Sequence, residues 1–86
     1  MNDLAHEPTE VDASFGVDGR VSPLAFSWRG TRLDVLEVGR SWRDADHRRI
    51  THVLVRTVDG SRLELRFDGG TLRWTVARIV DVRVFA

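Results

Sequence analysis

Arg56, Arg62, Arg66 and Arg73 are spaced so that strand alternation places them on one side of a sheet, and their chemistry is that of anion recognition. The planar guanidinium fork binds phosphate or carboxylate bidentately and stacks on aromatic rings. A cluster of four therefore suits a nucleic-acid backbone or an acidic protein segment. The alternative reading is a solvated face whose charges are offset by Glu64 and Asp68 and whose long arginine stems cover apolar surface. Trp42, between Arg40 and Arg43, either stacks a base or anchors a partner peptide, or lies as a lid over one end of the fold. Asp44, Asp46, His47 and His52 are the residues closest in type to a metal-ligand set, but consecutive charged residues in a loop read as solvated, and no metal or cofactor is expected. Ser14, Ser22, Ser27, Ser41 and Ser61 lack the context of a nucleophile elbow, and there is no glycine-rich phosphate loop with its lysine. The residues thus point away from an enzyme and toward a binding module.

Composition narrows the classes further. The chain has 86 residues, long enough for one modest core and too short for separate cofactor and substrate domains. Zero cysteines remove disulfides, thiolate catalysis and cysteine-bound zinc. No apolar run approaches a membrane span, and Asp3 and Glu7 stand where a signal peptide needs a cationic start, so a cytoplasmic location with no membrane partner is expected. All thirteen basic residues other than histidine are arginine, which a GC-rich coding bias also produces. The first 19 residues hold five acids and no arginine, leaving thirteen arginines against eight acids in the rest. An acidic N-terminal segment is joined to a basic body.

Residues 1–12 lack apolar periodicity and carry Pro8 among charges, which reads as a disordered acidic leader able to compete for the arginine face. Residues 13–86 read as a single β domain. Turn signals at Asp18-Gly19, Arg29-Gly30, Asp59-Gly60 and Gly69-Gly70 separate period-two stretches. Leu24, Phe26 and Trp28 form one such set, Leu63, Leu65 and Phe67 another, and Leu72, Trp74 and Val76 a third. In the segment from Leu33 to Arg43 the apolar phase switches, which a β-bulge near Val35–Leu36 explains. Residues 71–85 also fit a helical period, but their β-branched content favours strand. The expected fold is all-β: a small antiparallel roll or SH3-like barrel of five to six strands that hides its own edges.

Register decides which arginines stand together. A three-residue loop at Val58-Asp59-Gly60 turns Val53 and Val55 inward against Leu65 and Leu63, whereas a two-residue loop would bury Arg56. The first leaves Arg56 opposite Arg62 and His52 beside Arg66 on the outer face. With Gly69-Gly70 as a two-residue turn, Arg66 faces Arg73.

The stretch Phe26-Ser-Trp28-Arg29-Gly30-Thr-Arg32-Leu-Asp-Val35, followed by Trp42-Arg43, Arg66-Phe-Asp68 and Arg73-Trp74, resembles a small bacterial domain of uncharacterised activity. That domain occurs alone and, in related form, at the C-terminal end of Y-family-like mutasome DNA polymerases. The likeness spans Pro23 to Asp81 and departs from the family where tyrosines are expected, with Leu33 after Arg32 and no aromatic pair near Val53–Val55. The resemblance implies a non-enzymatic accessory module near DNA repair or replication, with nucleic acid or an acidic partner such as a translesion polymerase component as its ligand. Recruitment of a partner through an exposed sheet edge is the alternative function.

Overall fold

The structure, a computed structural model, describes residues 3–81. Its regular elements are all strands: β1 (Asp3–Thr9), β2 (Val11–Phe15), β3 (Val21–Trp28), β4 (Thr31–Arg43), β5 (Ile50–Thr57), β6 (Arg62–Asp68) and β7 (Arg73–Asp81). They form one antiparallel sheet in the order β1-β7-β6-β5-β4-β3-β2. β1 and β2 stand at opposite ends of that order, yet only Glu10 separates them in the chain. The sheet must therefore curl until its ends approach, and it forms a half-barrel. At the meeting point the Glu10 carbonyl accepts the Ser27 N–H at 3.1 Å and the Thr9 hydroxyl donates to the Ser27 carbonyl. Phe26, Trp28, Leu33, Val53, Val55, Leu63, Leu65, Phe67, Trp74 and Val76 fill the concave side.

Two features of the N-terminal segment correct the expectation. There are seven strands, not five to six, because residues 3–9 and 11–15, expected as leader and domain start, pair with β7 and β3. Two of the acids that made this stretch look unstructured have partners in the fold: Glu7 binds Arg29 at 3.0 Å and Asp12 binds Arg32 at 2.5 Å. Glu7 and Asp12 thus engage arginines at the β3–β4 hairpin and not Arg56, Arg62, Arg66 or Arg73. Pro8 is tolerated because β1 is a terminal strand with one side free of a ladder. Residues 82–86, part of the stretch where helix competed with strand, lie outside the described residues; β7 is strand as far as Asp81.

Bulges set the faces. Val35 lies opposite Thr57 and Glu37 opposite Arg56, so Leu36 is the extra residue, where the phase switch of the sequence placed it. A second irregularity lies between Val38 and Ser41. On β3, Asp12 opposes Ala25 while Ala13 opposes Pro23; Leu24 is squeezed out of phase and is 55% exposed, while Pro23, Ala25, Phe26 and Trp28 are buried, the last two in the core. The alternation assumed for Leu24, Phe26 and Trp28 therefore holds only from Phe26 onward.

The loop at 58–60 has three residues, with Gly60 at φ 90°, and Val53 faces Leu65 and Val55 faces Leu63 as the burial argument required. The β6–β7 connection differs from expectation. Asp68 opposes Arg73, so the loop has four residues, 69–72, and neither glycine there takes a positive φ; Leu72 does, at 59°. The glycines answer a different demand. Arg49 passes close by, its carbonyl accepting the Gly69 N–H at 2.9 Å, and a Cβ on Gly70 would stand 3.0 Å from Arg49 Cδ.

The β3–β4 turn tests how much backbone conformation contributes. Arg29 and Gly30 both have positive φ, at 47° and 83°, as a two-residue turn of type I′ requires. A Cβ on Gly30 meets nothing within 4 Å, so Gly30→Ala introduces only conformational strain. It is expected to cost about 1–2 kcal/mol in denaturant unfolding. A cost near zero would show that the turn relaxes to another type.

Candidate functional site

The convex face of β5, β6 and β7 carries most of the arginines singled out from the sequence, and each lands differently. Arg56 stands opposite Arg62 as expected. Like charges across a ladder repel, but each has a carboxylate: Glu37 approaches Arg56 at 3.5 Å and Asp81 approaches Arg62 at 3.9 Å. The bulge at Leu36 delivers Glu37, and a shift between Arg62 and Leu63 brings Asp81 level with Arg62. Arg66 lies between His52 and Thr75, not opposite Arg73, because the four-residue loop displaces β7 by two places. Arg73 instead opposes Asp68. The four arginines are therefore not one continuous patch. Arg40, which the sequence reading did not enlist, joins Arg56 and Arg62 around a groove of ≈ 340 Å³ floored by Leu54 and Val80.

At the centre of the face is a polar network. Trp42 is opposite His52 and stacks on it, with ring centroids 5.2 Å apart and planes at 13°. His52 Nδ1 lies 3.1 Å from Glu64 Oε2, and His52 Nε2 lies 3.1 Å from Asp44 Oδ1. Both are hydrogen bonds only when each ring nitrogen carries a proton, since ionised carboxylates accept and do not donate. Glu64, only 7% exposed, reaches Arg78 with its other oxygen at 2.9 Å. Asp44 also accepts the N–H groups of Asp46 and His47 at 3.0 and 3.1 Å, so it shapes the 44–49 loop from inside.

Glu64 and Arg78 were missed as a pair because the assumed turn put Thr75 opposite Glu64. The longer loop together with a bulge at Ala77 moves Arg78 there. The only sequence signal was a glutamate one ladder step along from a histidine. The Trp42 ring already has neighbours on the chain: His52 stacks on it, and the Arg40 guanidinium lies 5.2 Å from its centroid. Trp28 and Trp74 are core residues, as their phase indicated. Of Asp44, Asp46, His47 and His52, the side chains of Asp44 and His52 meet, but among the described residues no group of three or more His, Asp or Glu side chains is placed to hold a metal ion.

A second feature is the rim of the half-barrel. β3 and β4 pair only from the hairpin as far as Ala25 and Asp34. Beyond that the strands part, and among the described residues β4 from Leu36 to Arg43 has a backbone partner on the β5 side alone. Leu36 is 60% exposed there and Val38 38%, with Leu24 exposed on the neighbouring strand. Between the start of β3 and the end of β4, a cleft of ≈ 330 Å³ is lined by Arg20, Val21, Trp42, Arg43 and Thr51 among others.

Three aspartates at turns titrate below the ordinary carboxylate range. The hydrogen bond with His52 does this for Asp44, the Thr57 hydroxyl for Asp59 and the Gly70 N–H for Asp68. A folded-state pKa below the unfolded value contributes stability above about pH 4, and that contribution is lost as pH falls through the folded value. The melting temperature is expected to decline steadily below about pH 4. Joint replacement Asp44→Asn, Asp59→Asn and Asp68→Asn should lower it at pH 7 and flatten the acid limb; superimposable acid limbs would refute the assignment.

No family model, curated protein or solved structure matches this chain. Among the described residues no helix is long and apolar enough to cross a membrane. The fold and the surface together define the class to which the chain can be assigned: a small all-β domain with an offset arginine face and an open strand edge.

Proposed function

We propose that this chain is a non-enzymatic binding module that recruits a partner protein by strand addition along the free edge of β4. The observation that carries this reading is the edge itself: an extended run from Leu36 to Arg43, unpaired on one side among the described residues, with large apolar side chains in the open. Unpaired strand edges template further pairing unless shielded by charge, proline or a cover. In this reading the half-barrel is an SH3-like barrel left open between β3 and β4. The resemblance to the mutasome-associated domain adds the expected setting, an accessory role in DNA repair or replication with a polymerase component as partner.

Selection of random displayed peptides on the immobilised chain tests the proposal. Enriched peptides should carry apolar residues at alternate positions. Their binding should change little between about 50 and 200 mM salt and fall at least about tenfold in the double variant Leu36→Lys, Val38→Lys. A second reading, contact with a nucleic-acid backbone, is favoured by the guanidinium groups of Arg40, Arg56 and Arg62 around one groove. It predicts the opposite pattern: single-stranded DNA binding that falls steeply over the same salt range and is lost in Arg56→Glu, Arg62→Glu. Against it stand Glu37, Glu64 and Asp81, which offset much of the positive charge of the face.

A further inference from the structure

The free edge of β4 changes character along its length. Its first half presents Leu36 and Val38, with Leu24 exposed on β3. Its second half presents Arg40 and Arg43, with Arg20 across the cleft between β3 and β4. Of the twelve described arginines, Arg29, Arg32, Arg49, Arg56, Arg62 and Arg78 each have a carboxylate oxygen within 4.0 Å; the other six, Arg20, Arg40, Arg43, Arg48, Arg66 and Arg73, do not, and the first three of these border the second half of the edge. The Arg40 guanidinium lies over Trp42, and Arg43 donates to the Arg48 carbonyl at 3.3 Å, which brings a further arginine alongside. Asp18, the acid lining the same cleft, accepts the Arg20 backbone N–H at 2.9 Å. Arginines without a carboxylate within 4.0 Å therefore gather at one end of a strand edge that is open among the described residues, and exposed apolar surface at the other.

We infer that the edge selects an extended protein segment with one apolar end and one acidic end, the apolar end seated on Leu36 and Val38 and the acidic end beside Arg40, Arg43 and Arg20. This rests on the strand-addition reading and adds to it the chemistry of the partner. The added strand supplies affinity through main-chain hydrogen bonds, whereas the charge gradient sets direction and excludes segments with lysine at the same end.

Two short synthetic peptides test the inference, identical in their alternating valine and threonine half and differing only in a glutamate or a lysine head. The readouts are affinity by titration and amide exchange of residues 36–43. The glutamate-headed peptide should bind the parent more tightly and slow exchange along the edge. The triple variant Arg20→Glu, Arg40→Glu, Arg43→Glu, with its fold verified by circular dichroism, should bind that peptide on the order of tenfold more weakly and prefer the lysine-headed one. Equal binding of both peptides to the parent would overturn the charge selection and leave strand addition standing. No protection of residues 36–43 by either peptide would overturn strand addition, and the inference with it. A concentration-dependent dimer that protects the same amides without peptide would make a second copy the occupant and overturn the inference.

Discussion

Replacing Glu64 by leucine is expected to lower the unfolding free energy by about 3–5 kcal/mol, the cost typical of removing one member of a buried charged set. Glu64 lies between His52 Nδ1 and the Arg78 guanidinium, and no other carboxylate is close to both. Without it, the Arg78 guanidinium and the His52 ring lose their shared acceptor on a partly dry surface, and the Arg78 Nε–H, already buried without a partner, gains nothing in return. In a domain of this size such a loss lowers Tm by roughly 15 °C or more. His52→Leu should be milder, because Glu64 keeps Arg78 and Asp44 keeps its own N–H donors from Asp46 and His47. Thermal and denaturant unfolding of both variants would establish the ranking. A Glu64→Leu protein within about 1 kcal/mol of the parent would mean that the network is an incidental surface arrangement.

Phe26→Ala is expected to cost about 3–5 kcal/mol, and Leu24→Ala less than about 0.5, although the two residues are neighbours in one alternating series. Phe26 is 1% exposed; it lies opposite both Val11 on β2 and Leu33 on β4, where the curled sheet meets its core. Its removal leaves a large cavity that the strands on either side cannot collapse to fill. Leu24 sits in the bulge and faces outward, so truncating it removes little buried surface. Equilibrium unfolding in urea measures both. Comparable losses at the two sites would restore the uninterrupted alternation and place Leu24 inside.

The same pair shows how far the sequence can be read. Period-two alternation identifies β5, β6 and most of β7 because their inward side chains are largely apolar and their outward ones largely polar or charged. The 58–60 loop was legible because burying Arg56 would cost more than any turn preference. The phase switch at Leu36 was legible for a related reason, since a bulge leaves its mark in the apolar pattern. The Gly69-Gly70 turn was misread because glycine permits both a positive φ and a close approach, and nothing local distinguishes them; the neighbour is Arg49, some twenty residues earlier in the chain. The N-terminal strands were misread because their signature lies in pairing partners, Arg29 and Arg32, that composition does not reveal.

The candidate site divides along the same line. Arg56 opposite Arg62, and His52 beside Arg66, follow from one hairpin whose register burial dictates. The separation of Arg73 from that group, the bond from Arg78 to Glu64 and the stacking of Trp42 on His52 depend on a loop length and two bulges. By itself, then, the sequence determined the strand class, the inward valines and the cationic outer face, since each is a matter of burial energy along a single strand or hairpin. Only the tertiary structure decided which acids offset those arginines and which strand edge stays open among the described residues, because both depend on where distant segments end after the sheet has curled.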